Sequence, residues 1–321
     1  MGLTTNRTSY KPFEYPWAFE AWKIQQSLHW LADEVPMGDD VKDWHHNLND
    51  KEKNLLTQIF RFFTQADIDV SSCYLDNYLT LFRAPEVRMM LTAFANFETI
   101  HIDAYSRLLD TIGMPEVEYQ AFLKYKAMKD KHDYMSNFNI NNPYEIAKTM
   151  AAYGAFAEGL QLFASFAMLL NFQRFGKMKG MGQIVAWSVR DETLHTNSII
   201  KLFHTYVAEN RSNININTLN SELVEICQKV IELEDAFIDL AFGISDGDIK
   251  GMTSDDIKNY IRFIANKRLS DLNAPLIYEI KQNPLPWMDE ILNAPSLANF
   301  FEARVTEYSK ASTQGDWESV F

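Results

Sequence analysis

The sequence predicts an all-helical bundle, on three observations. Apolar residues recur every three or four positions over long stretches. Glycine is sparse, at 12 in 321 residues, and with proline it sits at a few points between those stretches. The chain shows no convincing run of strand-like alternation and no glycine-rich phosphate loop.

The elements follow this punctuation. A first helix is expected over 17–33, ahead of Pro36-Met37-Gly38. A long helix over 50–82 stops before Pro85, which opens the next at 85–112. Gly113-Met114-Pro115 separates that one from a helix over 115–136. Asn142-Pro143 opens a helix over 143–175, and the glycines from Gly176 to Gly182 lead into 179–208. Helices over 215–241, 253–271 and 296–308 complete the set. Nothing marks an internal linker, so a single helical domain over 1–308 is expected. A flexible polar tail with an apolar end, 309–321, follows it.

Composition excludes several functions. Lys and Arg total 30 against 43 Asp and Glu, a formal net charge of −13. Phosphate-backbone binding needs a basic surface, so nucleic acid is not the expected partner. Two cysteines, Cys73 and Cys227, cannot build a disulfide framework or a four-thiolate zinc site. The first residues lack the charged-then-apolar pattern of a signal peptide, so a cytoplasmic setting is expected. The stretch Ala151 to Phe172 is long enough to span a bilayer. It carries Glu158, Gln161 and Ser165, and a carboxylate at mid-bilayer is costly. A core helix is the expected reading, with no membrane span. Glu158 must then be protonated, ion-paired or bound to a metal.

One pattern occurs twice. Glu98-Thr99-Ile100-His101 and Glu192-Thr193-Leu194-His195 each put Glu and His three apart, on one helix face. Each is preceded by an acid in an apolar helix: Asp67 lies 31 residues before Glu98, and Glu158 lies 34 before Glu192. One carboxylate from each of two helices, plus Glu-x-x-His from each of two others, is the ligand set of bundles that hold two iron or manganese ions. Carboxylate oxygens and neutral imidazoles suit those metals. Four carboxylates balance two divalent cations, which accounts for a buried Glu158. Taken singly, Asp67 reads as a surface acid and each histidine as a hydrogen-bonded core residue; the repeated spacing makes the case. Tyr105 lies four positions beyond His101 on the same face. A phenol there could give an electron and a proton to an oxidised centre.

From about Trp30 to the C-terminus the sequence resembles the small, radical-generating subunit of class I ribonucleotide reductase. The motifs are FTQAD with Asp67, FETIHxxxY with Glu98, His101 and Tyr105, AEGLxxFxSF with Glu158, RDExLH with Asp191, Glu192 and His195, and the closing NPLPWMD…NFFEARVTEY. The resemblance implies a ferritin-like bundle with a dimetal-carboxylate centre in a four-helix core and extra flanking helices. It implies that Asp67, Glu98 and His101 hold one metal and Glu158, Glu192 and His195 the other, with Glu98 and Glu192 bridging. Tyr105 matches the stable radical site. Trp30, Asp191 and Tyr308 match relay positions, and Glu302 an acid that assists transfer at the tail. Iron is the expected metal, activated by O2; manganese or a mixed Mn/Fe pair fits the same ligands. The partners implied are a large (alpha) subunit that reduces ribonucleotides, docked through the tail, and a second copy in a homodimer. Two departures concern the pocket around Tyr105. Leu162 stands where an aromatic is expected, beside Phe166, and Ser188 where an aliphatic is expected.

Two other readings use the same residues. A dimetal oxidase or hydroxylase acting on a small apolar substrate predicts a cavity beside the metals. An iron-storage protein predicts a shorter chain without a docking tail.

Overall fold

The fold begins with helices whose ends are written in the sequence. The computed structural model describes residues 2–244 and 248–292. Helix α1 (Pro16–Ser27) starts with Pro16 in its first turn, where the missing N–H costs nothing. It buries Ala18, Ala21 and Gln25, one stripe at three- and four-residue spacing. It ends earlier than the expected residue 33. The Leu28 carbonyl, left without a helical donor, accepts from Arg190 at 2.8 Å, and the chain turns away to bury Trp30.

Helix α2 (Asp50–Ser72) opens with a capping box between Asn49 and Glu52. It continues as a π-helical turn over Cys73–Tyr78 and a last turn over Leu79–Leu81, matching the expected 50–82. Helix α3 (Pro85–Ile112) runs between Pro85 at its start and Gly113, whose φ of 72° closes it. The expected helix over 115–136 is broken into Glu116–Tyr119, a 3-10 turn over Phe122–Lys124 and α4 (Lys126–Met135). Arg61 of α2 reaches into the break: it pairs with Glu118 and donates to the Tyr125 hydroxyl at 2.8 Å. Such contacts outweigh local helix propensity.

Helix α5 (Pro143–Met150), a π-helical segment over Ala151–Gln161 and α6 (Leu162–Arg174) form one continuous run. Its most apolar window is wholly buried, as expected for a core helix. Helix α7 (Lys179–Glu209) has its N-terminal N–H groups capped by two buried acids. Asp40 accepts from Gly180 and Met181 at 2.8 Å, and Asp43 from Met178 at 2.7 Å. Helices α8 (Ile216–Ile244) and α9 (Ser254–Asp271) complete this unit, α9 with a Thr253–Asp256 capping box. No strand occurs among the described residues; a single bridge joins Ile249 and Met252. Contacts divide the chain into residues 1–284 and 285–321, the second unit beginning with α10 (Pro286–Leu292). The expected helix 296–308, the tail 309–321, Glu302 and Tyr308 lie outside the described residues.

Helices α2, α3, α7 and the Ala151–Gln161 segment pack around one interior, with α1 laid across α3 and α7. The π segment approaches α7 and α9 closely. A Cβ on Gly154 would meet Ile199 at 2.3 Å, and one on Gly159 would meet Arg268 at 2.7 Å. Deep between α4 and α8, Lys131 pairs with Glu234, both almost fully buried. The ammonium also sits 3.5 Å from the Phe62 ring centre and 4.5 Å from that of Phe237.

Candidate metal centre

The repeated Glu-x-x-His spacing delivers what it promises geometrically. On α3, Glu98, His101 and Tyr105 are buried on one face; on α7, Asp191, Glu192 and His195 are buried on the facing side. Asp67 comes from α2 and Glu158 from the π segment, both buried. Glu98, Glu158, Glu192 and His195 each place one ligand atom so that all four lie within 4.8 Å of one another. His101 joins them through Nδ1, 3.2 Å from Glu192 Oε1 and 3.6 Å from Glu98 Oε2. His195 Nδ1 lies 3.1 Å from Glu98 Oε1 and 3.6 Å from Glu192 Oε2. Each imidazole therefore meets the glutamate of the other motif at closer range than its own. Asp67 stands at the edge of this group, outside the four-residue cluster.

The outer edges of the two rings are treated differently. His101 Nε2 lies 3.3 Å from Asp191 Oδ2, and that same oxygen accepts from the Trp30 indole at 2.8 Å. Arg190 holds the other Asp191 oxygen at 3.2–3.3 Å. Trp30, Asp191 and His101 thus form one hydrogen-bonded line leading to the cluster. His195 Nε2 instead meets the amide oxygen of Gln25 at 3.0 Å. With Nε2 committed outward, each ring turns Nδ1 toward the carboxylates, the arrangement that metal-binding histidines adopt.

Electrostatics in this interior are dominated by burial and by carboxylates close to one another. Burial raises the Glu158 pKa far above the usual carboxylate range, and the charge of Glu192 adds to it. Burial does the same to Asp67. Burial also opposes ionisation of Glu98, but the adjacent His101 and His195 rings outweigh it and bring the pKa to about 2. For His195, burial lowers the pKa, and the nearby Glu192 and Glu98 carboxylates more than reverse this, to about 10. Both oxygens of Glu98, both of Glu158, Glu192 Oε2 and His195 Nδ1 are buried with no hydrogen-bond partner. An unsatisfied buried polar atom costs about 1–3 kcal/mol, more if charged. Two divalent cations fit this donor set: they would satisfy these atoms and balance four carboxylates.

Tyr105 is buried beside the cluster, its ring stacked on Phe63 at 4.7 Å, and Phe63 stacks in turn on Phe166 at 5.8 Å. Its hydroxyl donates to Ser188 Oγ at 3.3 Å, so the residue that departs from the expected aliphatic supplies a hydrogen bond. Burial, then the charge of Asp67, raise its pKa. A cavity of about 200 Å³ opens beside Tyr105 and Asp67, lined also by Phe60, Phe63, Ile102 and Tyr119. Leu162 does not line this cavity; it borders a smaller one with Phe62 and Lys131.

Sequence reasoning missed two neighbours. Gln25 is one; its place in the Ala18–Ala21–Gln25 stripe is the signal that could have found it. Tyr74 is the other. It is buried beside the cluster, its hydroxyl facing Glu158 and its ring edge-on to His195 at 6.1 Å. Nothing in its local sequence distinguishes it from a core tyrosine.

Comparisons with known proteins agree with this geometry. The profile of the family "Ribonucleotide reductase, small chain" matches residues 7–284. The probable ribonucleoside-diphosphate reductase small subunit of Invertebrate iridescent virus 3 is 48% identical, over 98% of this chain and 88% of its own. Among solved structures, the ribonucleotide reductase R2 subunit from Clostridium botulinum superposes with a TM-score of 0.81 at 23% identity, covering 90% of this chain and 92% of that one. The dimanganese(II) NrdF of Streptococcus sanguinis gives a TM-score of 0.75 at 18% identity, over 90% of this chain and all of that one. The fold is thus that of these ferritin-like helical proteins. With the profile running almost unbroken through the helical unit and every carboxylate of the interior falling within it, the chain belongs to the ribonucleotide reductase small-chain family.

Proposed function

We propose that this chain is the small subunit of a ribonucleoside-diphosphate reductase, generating and storing a radical on Tyr105 for a large subunit that reduces ribonucleotides to deoxyribonucleotides. The observation that carries this reading is the interior of uncompensated ligand atoms with a buried phenol beside it. Asp67, Glu98 and His101 hold one metal; Glu158, Glu192 and His195 hold the other. The crosswise approach of His101 to Glu192 and of His195 to Glu98 supports Glu98 and Glu192 as carboxylates that would serve both ions. Two metal ions bound there supply oxygen activation and a one-electron oxidant. Iron is the assignment we make; the same donors accept manganese or a mixed Mn/Fe pair.

The chain's own residues do the rest. Tyr105 would give one electron from its ring to that oxidant and its hydroxyl proton to the water formed as oxygen is reduced. Phe63 covers its ring face, while Ser188 orients the oxygen. Asp191 holds the Trp30 indole and the His101 ring on one oxygen, which supports Trp30 as the entry point of an electron relay. Tyr308 and Glu302 extend that relay toward the large subunit, and the tail 309–321 docks on it. The chain acts as a homodimer in the cytoplasm.

Mixing the metal-loaded chain with a class I large subunit, a ribonucleoside diphosphate and a dithiol tests this. Deoxyribonucleotide should form only with both chains present. Tyr308→Phe should keep the Tyr105 radical and lose turnover; normal turnover in that variant contradicts the relay.

The cavity beside Tyr105 favours one second reading, oxidation of a small apolar substrate. That activity would persist in Tyr105→Phe and need no large subunit.

A further inference from the structure

The two histidines of the centre face the same carboxylates but lean on different supports. His101 has a carboxylate behind it, Asp191; His195 has a neutral amide, Gln25. Gln25 is fully buried, and its amide nitrogen has no hydrogen-bond partner. A side chain that only fills space would do so better without that stranded donor, whose burial is costly. The polar atom that Gln25 does use, Oε1, makes one contact, to His195 Nε2 at 3.0 Å.

That contact has a chemical consequence. An imidazole that binds a metal is neutral and carries one N–H. With an acceptor at Nε2, the hydrogen stays there and the lone pair of Nδ1 is left pointing at Glu98 and Glu192. Remove the acceptor and the ring loses both its tautomer and its anchor. We propose that Gln25 is a positioning residue for His195, fixing its tautomer and orientation for the Glu158–Glu192–His195 half of the centre. Helix α1 then serves both halves. Gln25 near its end supports His195, and Trp30, three residues beyond that end, closes on Asp191 behind His101. This inference rests on the dimetal reading given above.

The test uses the full metal-free chain, titrated with Mn2+ under nitrogen and followed by electron paramagnetic resonance. The parent should bind two ions. Gln25→Met keeps the volume and removes the acceptor. It should weaken one of the two ions by about 10- to 100-fold, the usual cost of losing such a support. Its metal-free melting temperature should not fall. Gln25→Glu keeps an acceptor and should bind both ions close to the parent. Parent-like binding of both ions by Gln25→Met overturns the proposal. So does Gln25→Glu binding as weakly as Gln25→Met, because an acceptor placed at His195 Nε2 then restores nothing. A parent that binds no Mn2+ overturns instead the metal reading beneath it.

Discussion

Glu158 shows most plainly how one residue ties stability to function. It sits in the most apolar helical run of the chain, buried, with both oxygens unsatisfied and its ionisation opposed by burial and by Glu192. Such a group weakens the metal-free fold and is worth that cost only with a cation beside it. Glu158→Gln should therefore raise the melting temperature of the metal-free chain while reducing bound metal from two ions to one or none. A variant that is less stable yet fully loaded would contradict this. The shared buried face of Glu98, His101 and Tyr105 was legible in the sequence, because helical periodicity puts i, i+3 and i+7 on one side. Gln25, Tyr74 and the Ser188 hydrogen bond were not. Their contacts join residues far apart in the chain, and no local spacing encodes that.

At the scale of elements, the segment that carries Glu158 is held by glycine. Gly159 lets it lie against Thr196 of α7 and Arg268 of α9, whose guanidinium donates to the Gly159 carbonyl at 2.8 Å. Gly159→Ala forces these apart and should cost about 1–3 kcal/mol in stability, read by chemical denaturation. It should also weaken metal binding, since Glu158 is the adjacent residue; unchanged stability would show that the close approach is dispensable. The Lys131–Glu234 pair between α4 and α8 makes a second case. Lys131→Met leaves a buried carboxylate unpaired and should cost about 3–5 kcal/mol. Adding Glu234→Leu should recover most of that loss, and a double variant as weak as the single one would contradict the pairing. Helix boundaries read well where proline, glycine or a capping residue marks them, as at Pro85, Gly113 and Asn142. They read poorly at Ser27 and within 115–136, where Arg190 and Arg61, distant in sequence, decide where helix stops.

For the molecule as a whole, the metals should act as a stabilising ligand of a fold that stands without them. Its core is helix on helix and largely apolar, so chelation should not unfold it. Saturating metal at about a hundred times its dissociation constant should add about 2.7 kcal/mol for each ion bound. A melting temperature indifferent to metal would show that the interior carboxylates hold none. An interior that oxidises Tyr105 should leave a stable radical on it. The most direct test is to load the metal-free chain with Fe2+ under nitrogen, admit oxygen and record the electron paramagnetic resonance spectrum of the parent and of Tyr105→Phe. The parent should give a tyrosyl signal and the variant none, with both chains binding two irons. Two bound irons and no organic radical in the parent, or the same radical in Tyr105→Phe, would contradict this.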